Sequence, residues 1–155
     1  MPGSRLLVAL TIFFLSACGG AENRPDANVI TLNSTFDADF DLISHHNEPV
    51  TDEDFAGKPM LIYFGFTTCP EVCPMALGKM QATLDHLGRD ADKIQTLFIT
   101  VDPERDDPER LRNHLAYDPR LLGLTGSLEK ISEAQDALNV WSQKVMLEDS
   151  AMGYT

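Results

Sequence analysis

Two apolar runs rich in β-branched and aromatic residues constrain the fold of this chain more than any other feature. They are MLIYFGF at residues 60–66 and IQTLFITVD at residues 94–102. Each run predicts a strand buried on both faces of a sheet. Between them, apolar residues recur at three- and four-residue steps and Gly88 ends the repeat, which predicts a helix with one face made of Val72, Ala76, Met80, Leu84 and Leu87. Together these segments predict a right-handed βαβ unit with parallel strands.

The flanking segments continue the alternation of strands and helices. Short strands are predicted at residues 40–43, near Val50 and at residues 121–126, and the start of another strand is predicted in QKVMLE at 143–148. Asp107 before Pro108 predicts the start of one helix. Ser127 predicts the start of a last helix, whose apolar face would contain Leu128, Ile131, Ala134, Leu138 and Trp141. This order of elements predicts an α/β sandwich.

Composition and charge narrow the classes of partner. The chain has 155 residues, enough for one domain, with 43% hydrophobic and 23% charged residues, as in ordinary globular proteins. Its formal net charge is −12. Nucleic acid and anionic membrane surfaces are therefore poor partners for it, because both would repel the chain.

The first residues have the pattern of a secretory signal. Arg5 is followed by an apolar run at residues 6–15, which is too short to span a bilayer, and then by small residues. Leu15-Ser16-Ala17-Cys18 resembles a bacterial lipobox, which implies that Cys18 becomes the lipidated first residue of the mature protein; an ordinary signal with a chance cysteine is the alternative. We predict a signal peptide at 1–17, a flexible tether at 18–33 and the folded domain at 34–155. This organisation predicts a membrane-anchored lipoprotein of the bacterial periplasm or cell envelope.

Of the three cysteines, Cys18 is assigned to the lipid, which leaves Cys69 and Cys73 as an even pair. A secreted protein places this pair in an oxidising compartment. They are predicted to form a disulfide, to bind a metal, or to alternate between the two. Cys69 lies three residues beyond the first buried strand, and Asp102 ends the neighbouring one. Reactive groups gather at the carboxyl ends of parallel strands, so we expect both segments at one edge of the sheet.

The spacing of the two cysteines suits more than one chemistry. A helix N-terminus favours the thiolate form, which both binds metals and attacks disulfides. Residues four apart share a helix face, with α-carbons about 6 Å apart, which permits a disulfide. Two sulfurs on one face could also hold a soft ion such as Cu(I) or zinc. A purely structural disulfide would close a very small loop and would stabilise the fold little.

LIYFGFTTCPEVCPMAL, FITVDPERDDPERL and GLTGSLEKI closely resemble the Sco/SenC family of membrane-tethered copper chaperones. The resemblance runs from about residue 40 to 155 and implies a thioredoxin-like fold with three layers, α/β/α. It implies that copper, as Cu(I) or Cu(II), is bound by Cys69, Cys73 and a histidine. Asp102 and Asp106 match an Asp-x-x-x-Asp pattern of the family that is thought to assist metal binding or docking, although DPERDDP also reads as a plain turn before a helix.

The resemblance breaks at the third ligand. In the family it is the histidine of an Asp-His pair, which would come directly after the final SAMGYT. No histidine of this chain replaces it: His45 and His46 are predicted in an exposed turn, and His86 and His114 on helix surfaces. We therefore expect a truncated sequence that lacks this ligand, a closing hairpin and the last helix, and that leaves a central strand as an open edge.

Two functions follow from the thiol pair and the resemblance. The first is a copper-binding protein, not an enzyme in the turnover sense, which delivers copper to the binuclear copper site of cytochrome c oxidase during its assembly. The second is a thiol–disulfide oxidoreductase that keeps the cysteines of that copper site reduced through a mixed disulfide. A peroxide-reducing relative of thioredoxin is a third class, which the spacing of the pair does not favour.

Overall fold

The computed structural model describes residues 38–147 and 154–155. The predicted signal peptide, Cys18 and the tether lie outside the described residues. The described part contains five strands and three α-helices in the order β1 Asp41–Ser44, β2 Pro49–Thr51, β3 Met60–Gly65, α1 Val72–Leu87, β4 Gln95–Thr100, α2 Pro108–Leu115, β5 Leu121–Thr125 and α3 Leu128–Ala137. The predicted alternation of strands and helices is confirmed.

The strands form one mixed sheet in the order β2-β1-β5-β4-β3. β3, β4 and β5 run parallel, whereas β1 is antiparallel to both β2 and β5. The helix α1 connects the parallel neighbours β3 and β4, as the apolar runs predict. The register pairs Gly65 with Thr100, so the carboxyl ends of β3 and β4 lie side by side.

Helices pack on both faces of this sheet. Leu97 and Ile99 of β4 belong to a core with Ile131 and Ala134 of α3. Phe98 points to the opposite face, because side chains alternate along a strand, and it belongs to the core that α1 and α2 cover. The three layers are the α/β/α arrangement of a thioredoxin-like fold.

Predicted helix ends are confirmed by their caps. The Asp107 side chain accepts a hydrogen bond from the Arg110 N–H at 2.7 Å, and Ser127 Oγ accepts one from the Lys130 N–H at 3.2 Å. Gly88 ends α1 with a φ of 55°, a value that favours glycine.

Three predictions of burial are wrong. The side chains of β3 from Met60 to Phe64 are half-buried, because within the described residues β3 pairs with β4 alone and is an edge strand. Val72 is 62% exposed, because Cys73 and Leu77 face inward at the start of α1 in place of Val72 and Ala76. Met80 and Leu84 are buried as predicted. Leu128 and Trp141 are exposed as well, because one lies in the first turn of α3 and the other beyond its end.

Within the residues that the structure describes, the strand predicted at 143–148 is present as a short pairing. Val145 and Thr155 exchange two backbone hydrogen bonds of 2.7 and 2.9 Å, and Met146 forms an antiparallel bridge with Tyr154. Among the described helices, none is long and apolar enough to cross a bilayer.

Candidate thiol site at the carboxyl end of the sheet

Cys69 lies in the loop between β3 and α1, before the helix begins. Its N–H donates to the Phe66 carbonyl at 3.3 Å, which turns the loop back. Its Sγ accepts a hydrogen bond from the N–H of Cys73 at 3.4 Å. The sulfur therefore lies at the N-terminus of α1, as predicted, but the prediction that both cysteines share one helix face is wrong because α1 starts at Val72.

Cys73 is the buried member of the pair. Only 3% of it is exposed, whereas Cys69 is half-buried, and both are free thiols. A Cβ placed on Gly65 would lie 3.1 Å from Cys73 Sγ, so the glycine leaves the space that the sulfur occupies. A glycine inside a strand pattern is a recognised signal of such close approach, and this one could have been read from the sequence.

The surroundings of the two sulfurs shift their pKa values in opposite directions. Burial raises the pKa of the Cys69 thiol, but hydrogen bonds from the Cys73 thiol and from backbone N–H groups at the helix start outweigh it, and the net pKa is lowered. The pKa of the Cys73 thiol is raised, chiefly by burial. Cys69 is thus the more exposed of the two sulfurs and becomes thiolate more readily, and Cys73 is the inner one.

Asp106 connects the end of β4 to the loop that carries Cys69. Its carboxylate accepts hydrogen bonds from the N–H and hydroxyl of Thr67 at 2.9 and 2.5 Å and from the hydroxyl of Thr100 at 2.7 Å. Asp106 is fully buried, and Arg110 also donates to the Thr67 hydroxyl at 2.8 Å. The turn before α2 therefore contains a buried carboxylate, and this carboxylate fixes the thiol loop, which is the segment between β3 and α1 that carries Cys69. A part for Asp106 in metal binding or docking stays a prediction.

Asp102 also lies at this edge, but its partners are in another segment. It is 7% exposed, forms an ion pair with Arg105, and accepts a hydrogen bond from the Tyr154 hydroxyl at 2.9 Å. The Arg105 guanidinium lies 3.7 Å from the centre of the Tyr154 ring and 5.9 Å from that of Phe66. A cavity of about 310 Å³ beside them is lined by Phe66, Leu128 and Ile131 among others. Asp102 thus fixes Tyr154 near the thiol loop, and its predicted part in metal binding or docking stays a prediction.

His45 is buried, contrary to prediction. Its Nδ1 accepts a hydrogen bond from the Gly123 N–H at 2.9 Å, so the neutral ring carries its proton on Nε2, which lies 2.9 Å from Nε2 of His46. A protonated nitrogen has no lone pair for a metal, and His45 is therefore not a ligand in this arrangement. His46 is exposed, as predicted.

The other two histidines lie away from the cysteines' hydrogen-bond network. His86 is exposed, as predicted. The prediction of a surface position is wrong for His114, because this side chain is half-buried with its ring 5.9 Å from Phe98, and Nε2 has no hydrogen-bond partner in the described structure. Burial lowers the pKa of His114.

The candidate metal ligands at this edge of the sheet are the sulfurs of Cys69 and Cys73. In the part of the chain that the structure describes, no group of three or more His, Cys, Asp or Glu side chains is placed to hold a metal ion. Cys69 and Cys73 by themselves are soft donors that suit Cu(I) better than a hard cation. The donor set therefore fits a soft ion held by two thiolates, and it equally fits a redox-active thiol pair.

Comparison with known proteins shows which family the chain belongs to. The SCO1/SenC family model matches residues 29–155. Protein sco1 of Schizosaccharomyces pombe is 48% identical over 96 residues, which are 61% of this chain and 36% of the yeast protein, so the chain spans about a third of that relative.

Two solved structures share the fold. The structure of Bradyrhizobium japonicum ScoI with copper bound superimposes with a TM-score of 0.70 at 42% identity, covering 76% of this chain and 74% of that one. BsSco, described as a member of the Sco family of cytochrome c oxidase assembly proteins with a disulfide switch, has a TM-score of 0.55 at 27% identity, covering 63% of this chain and 59% of that one.

Proposed function

Because this chain belongs to the SCO1/SenC family, we propose that it binds copper through Cys69 and Cys73 and delivers it to the binuclear copper site of cytochrome c oxidase during assembly. The observation that carries the proposal is the pair of free thiols with unequal surroundings at the edge of the sheet. Its support is the copper-bound relative from Bradyrhizobium japonicum, whose fold this chain shares.

Cys73 and Cys69 would have different roles in holding and releasing the copper ion. Cys73 is buried against Gly65 and would be the retained ligand. Cys69 is half-buried at the helix start, and its lowered pKa favours the thiolate that a soft ion requires. Thiolates of a partner could approach from the side of Cys69 and replace it as ligands, so that copper passes between sites of similar chemistry.

The alternative is a thiol–disulfide oxidoreductase that keeps the oxidase copper-site cysteines reduced. The same asymmetry supports it, because the exposed, lower-pKa thiol is suited to attack and the inner one to resolve the mixed disulfide. The disulfide switch described for BsSco is a further reason to retain the oxidoreductase alternative.

We also propose how the protein is attached to a membrane: by a lipid on Cys18, in a bacterial envelope membrane.

Copper binding by the reduced full-length chain tests the first proposal. We expect one Cu(I) per chain in competition with a chromophoric chelator, and loss of this binding in both C69S and C73S. The matched control is C18S, which changes the third cysteine and should bind copper as the parent does. Binding that persists in C73S would contradict the proposal. A chain that binds no copper but readily reduces a disulfide peptide with the spacing of the oxidase site would establish the alternative.

A further inference from the structure

Gly65 is the last residue of β3, and the space that its missing side chain leaves is filled by three other groups. A Cβ placed on Gly65 would lie 3.1 Å from Sγ of Cys73 and 3.1 Å from Cε2 of Phe98. It would also lie 2.8 Å from Cε1 of Tyr63. These separations are shorter than ordinary van der Waals contact, so a methyl group at this position would overlap with all three groups.

The three groups differ in how far they can move. Phe98 is fully buried in the core under α1 and α2, so its ring cannot shift without opening that core. Tyr63 is half-buried on a strand that is an edge strand within the described residues, and its ring has room to turn outward. Cys73 Sγ moves by rotation about a single bond. A methyl group at position 65 would therefore displace the sulfur and the phenol ring rather than Phe98.

The place of Cys73 also affects the other sulfur. The N–H of Cys73 donates to Sγ of Cys69 at 3.4 Å, and Cys69 itself precedes the helix. A shift of the first turn of α1 would move this donor and with it the partner of the outer sulfur. Gly65 thus acts on Cys73 by direct contact and on Cys69 through Cys73.

We propose that Gly65 is a positioning residue that sets the inner place of the Cys73 sulfur, and with it the unequal exposure of the two thiols. Cys73 is 3% exposed, although Val72 and Met75 in the same helical turn are each 62% exposed. The inference rests on the proposed function for the role of the thiol pair, but it holds or fails in metal-free protein.

Alkylation of Cys73 in reduced, metal-free protein measures how deeply its sulfur is placed. The full chain carries C18S and C69S, which leaves Cys73 as the single thiol of the three. Its thiolate displaces iodide from iodoacetamide and forms one S–C bond. In G65A we expect the rate constant to rise by about fivefold or more, which corresponds to the lower end of the usual cost of overpacking, because turning the sulfur outward relieves the overlap.

The matched control is G78A. A Cβ on Gly78 would meet no heavy atom of the described structure within 4 Å apart from its own helix backbone and chain neighbours, so the rate should stay that of the parent. Urea denaturation gives the unfolded fraction of each variant, and this fraction times the alkylation rate of the unfolded chain is the rate by global unfolding. A G65A rate no higher than this product, or an equal increase in G78A, would overturn the proposal.

A double-mutant cycle tests the shared space without a reagent. C73A removes the sulfur, so a methyl group at position 65 gains part of the room it needs. We expect G65A to lower the urea midpoint less in the C73A background than in the parent, and equal shifts would contradict the proposal. If G65A alone did not fold, a folded G65A/C73A chain would support the proposal and an unfolded one would reject it. Copper binding is measured separately, so its failure leaves either result intact.

Discussion

Asp106 is a charged side chain with no exposed surface, which a fold tolerates only where donors surround the carboxylate. Its donors are the N–H and hydroxyl of Thr67 and the hydroxyl of Thr100, with Arg110 3.8 Å away. Thr67 lies two residues before Cys69. The position of the exposed thiol therefore depends on a carboxylate from the neighbouring strand end.

Replacing Asp106 with alanine should lower the free energy of unfolding by about 3 kcal/mol or more, because the buried Thr100 hydroxyl and two half-buried donors of Thr67 lose a charged acceptor. Urea denaturation followed by circular dichroism measures it. The control is E109A, an exposed acidic residue of α2, which should change the stability by less than about 0.5 kcal/mol. If D106A unfolded at the same urea concentration as E109A and still lost copper binding, Asp106 would act on the metal rather than on the loop.

At the residue scale, sequence reasoning located the site but not its internal contacts. The position of Cys69 beyond one apolar run and of Asp102 at the end of the next predicted that both segments meet, since parallel strand ends share an edge. Which thiol is buried could not be predicted. Each is followed by proline, and their burial depends on where α1 begins relative to the two cysteines.

The elements of the fold were predicted where a periodic pattern and a cap agree. α2 begins after Asp107, where Asp-Pro marks the start, whereas the end of α3 was placed too late because Leu138 and Trp141 continue the spacing. Asn139 has a φ of 53° and ends that helix, a stop signal that asparagine shares with glycine. An open strand edge was predicted, but local pattern did not identify β3 as the edge strand, because that position depends on which strands pair.

The β1–β2 turn is attached to β5 by His45. Its N–H donates to the Gly123 carbonyl at 2.8 Å, its Nδ1 accepts from the Gly123 N–H, and its own carbonyl accepts two hydrogen bonds from Arg112. Protonation of His45 Nδ1 would point its N–H at the N–H of Gly123, and neither group could accept a hydrogen bond from the other. Burial first, and then the neighbouring His46 and Arg112, lower the pKa of His45.

This attachment predicts a pH dependence of stability. The folded-state pKa of His45 lies below the unfolded value of about 6.5, so the unfolded chain binds more protons as the pH falls. The contribution is complete above pH 6.5 or so and is lost as the pH falls toward the folded pKa. In H45N the side-chain oxygen can still accept from Gly123 but does not titrate, and we expect a shallower loss of unfolding free energy between about pH 7 and pH 5.

Denaturant unfolding at a series of pH values measures that slope. The control is H86N, which removes an exposed histidine from α1 and should keep the slope of the parent. An H45N slope equal to that of the parent would mean that His45 does not titrate differently in the folded state. A further variant, H45A, should lose stability at all pH values because the Gly123 N–H is left without an acceptor.

On the scale of the whole molecule, the thiol site lies where three separate segments meet. The end of β3 supplies the loop, the end of β4 supplies Asp106, and the start of α1 supplies the N–H groups that face Cys69. The exposed sulfur is accordingly on one edge of the domain, where a partner can reach it. The proposed delivery of copper to a membrane partner would need a means of attachment other than charge, because the net charge of −12 gives no attraction to anionic lipid.

A lipid on Cys18 would supply that attachment, and we expect it to decide where the protein is found. In bacteria that express the full chain, the parent should incorporate labelled fatty acid and sediment with the membranes. C18S should take up no label and remain in the supernatant after ultracentrifugation, because neither charge nor a helix of the described residues offers a second means of attachment. The control C69S changes a cysteine of the thiol site and should sediment as the parent does. Labelled C18S, or C18S that sediments fully with the membranes, would show that the anchor is not on Cys18.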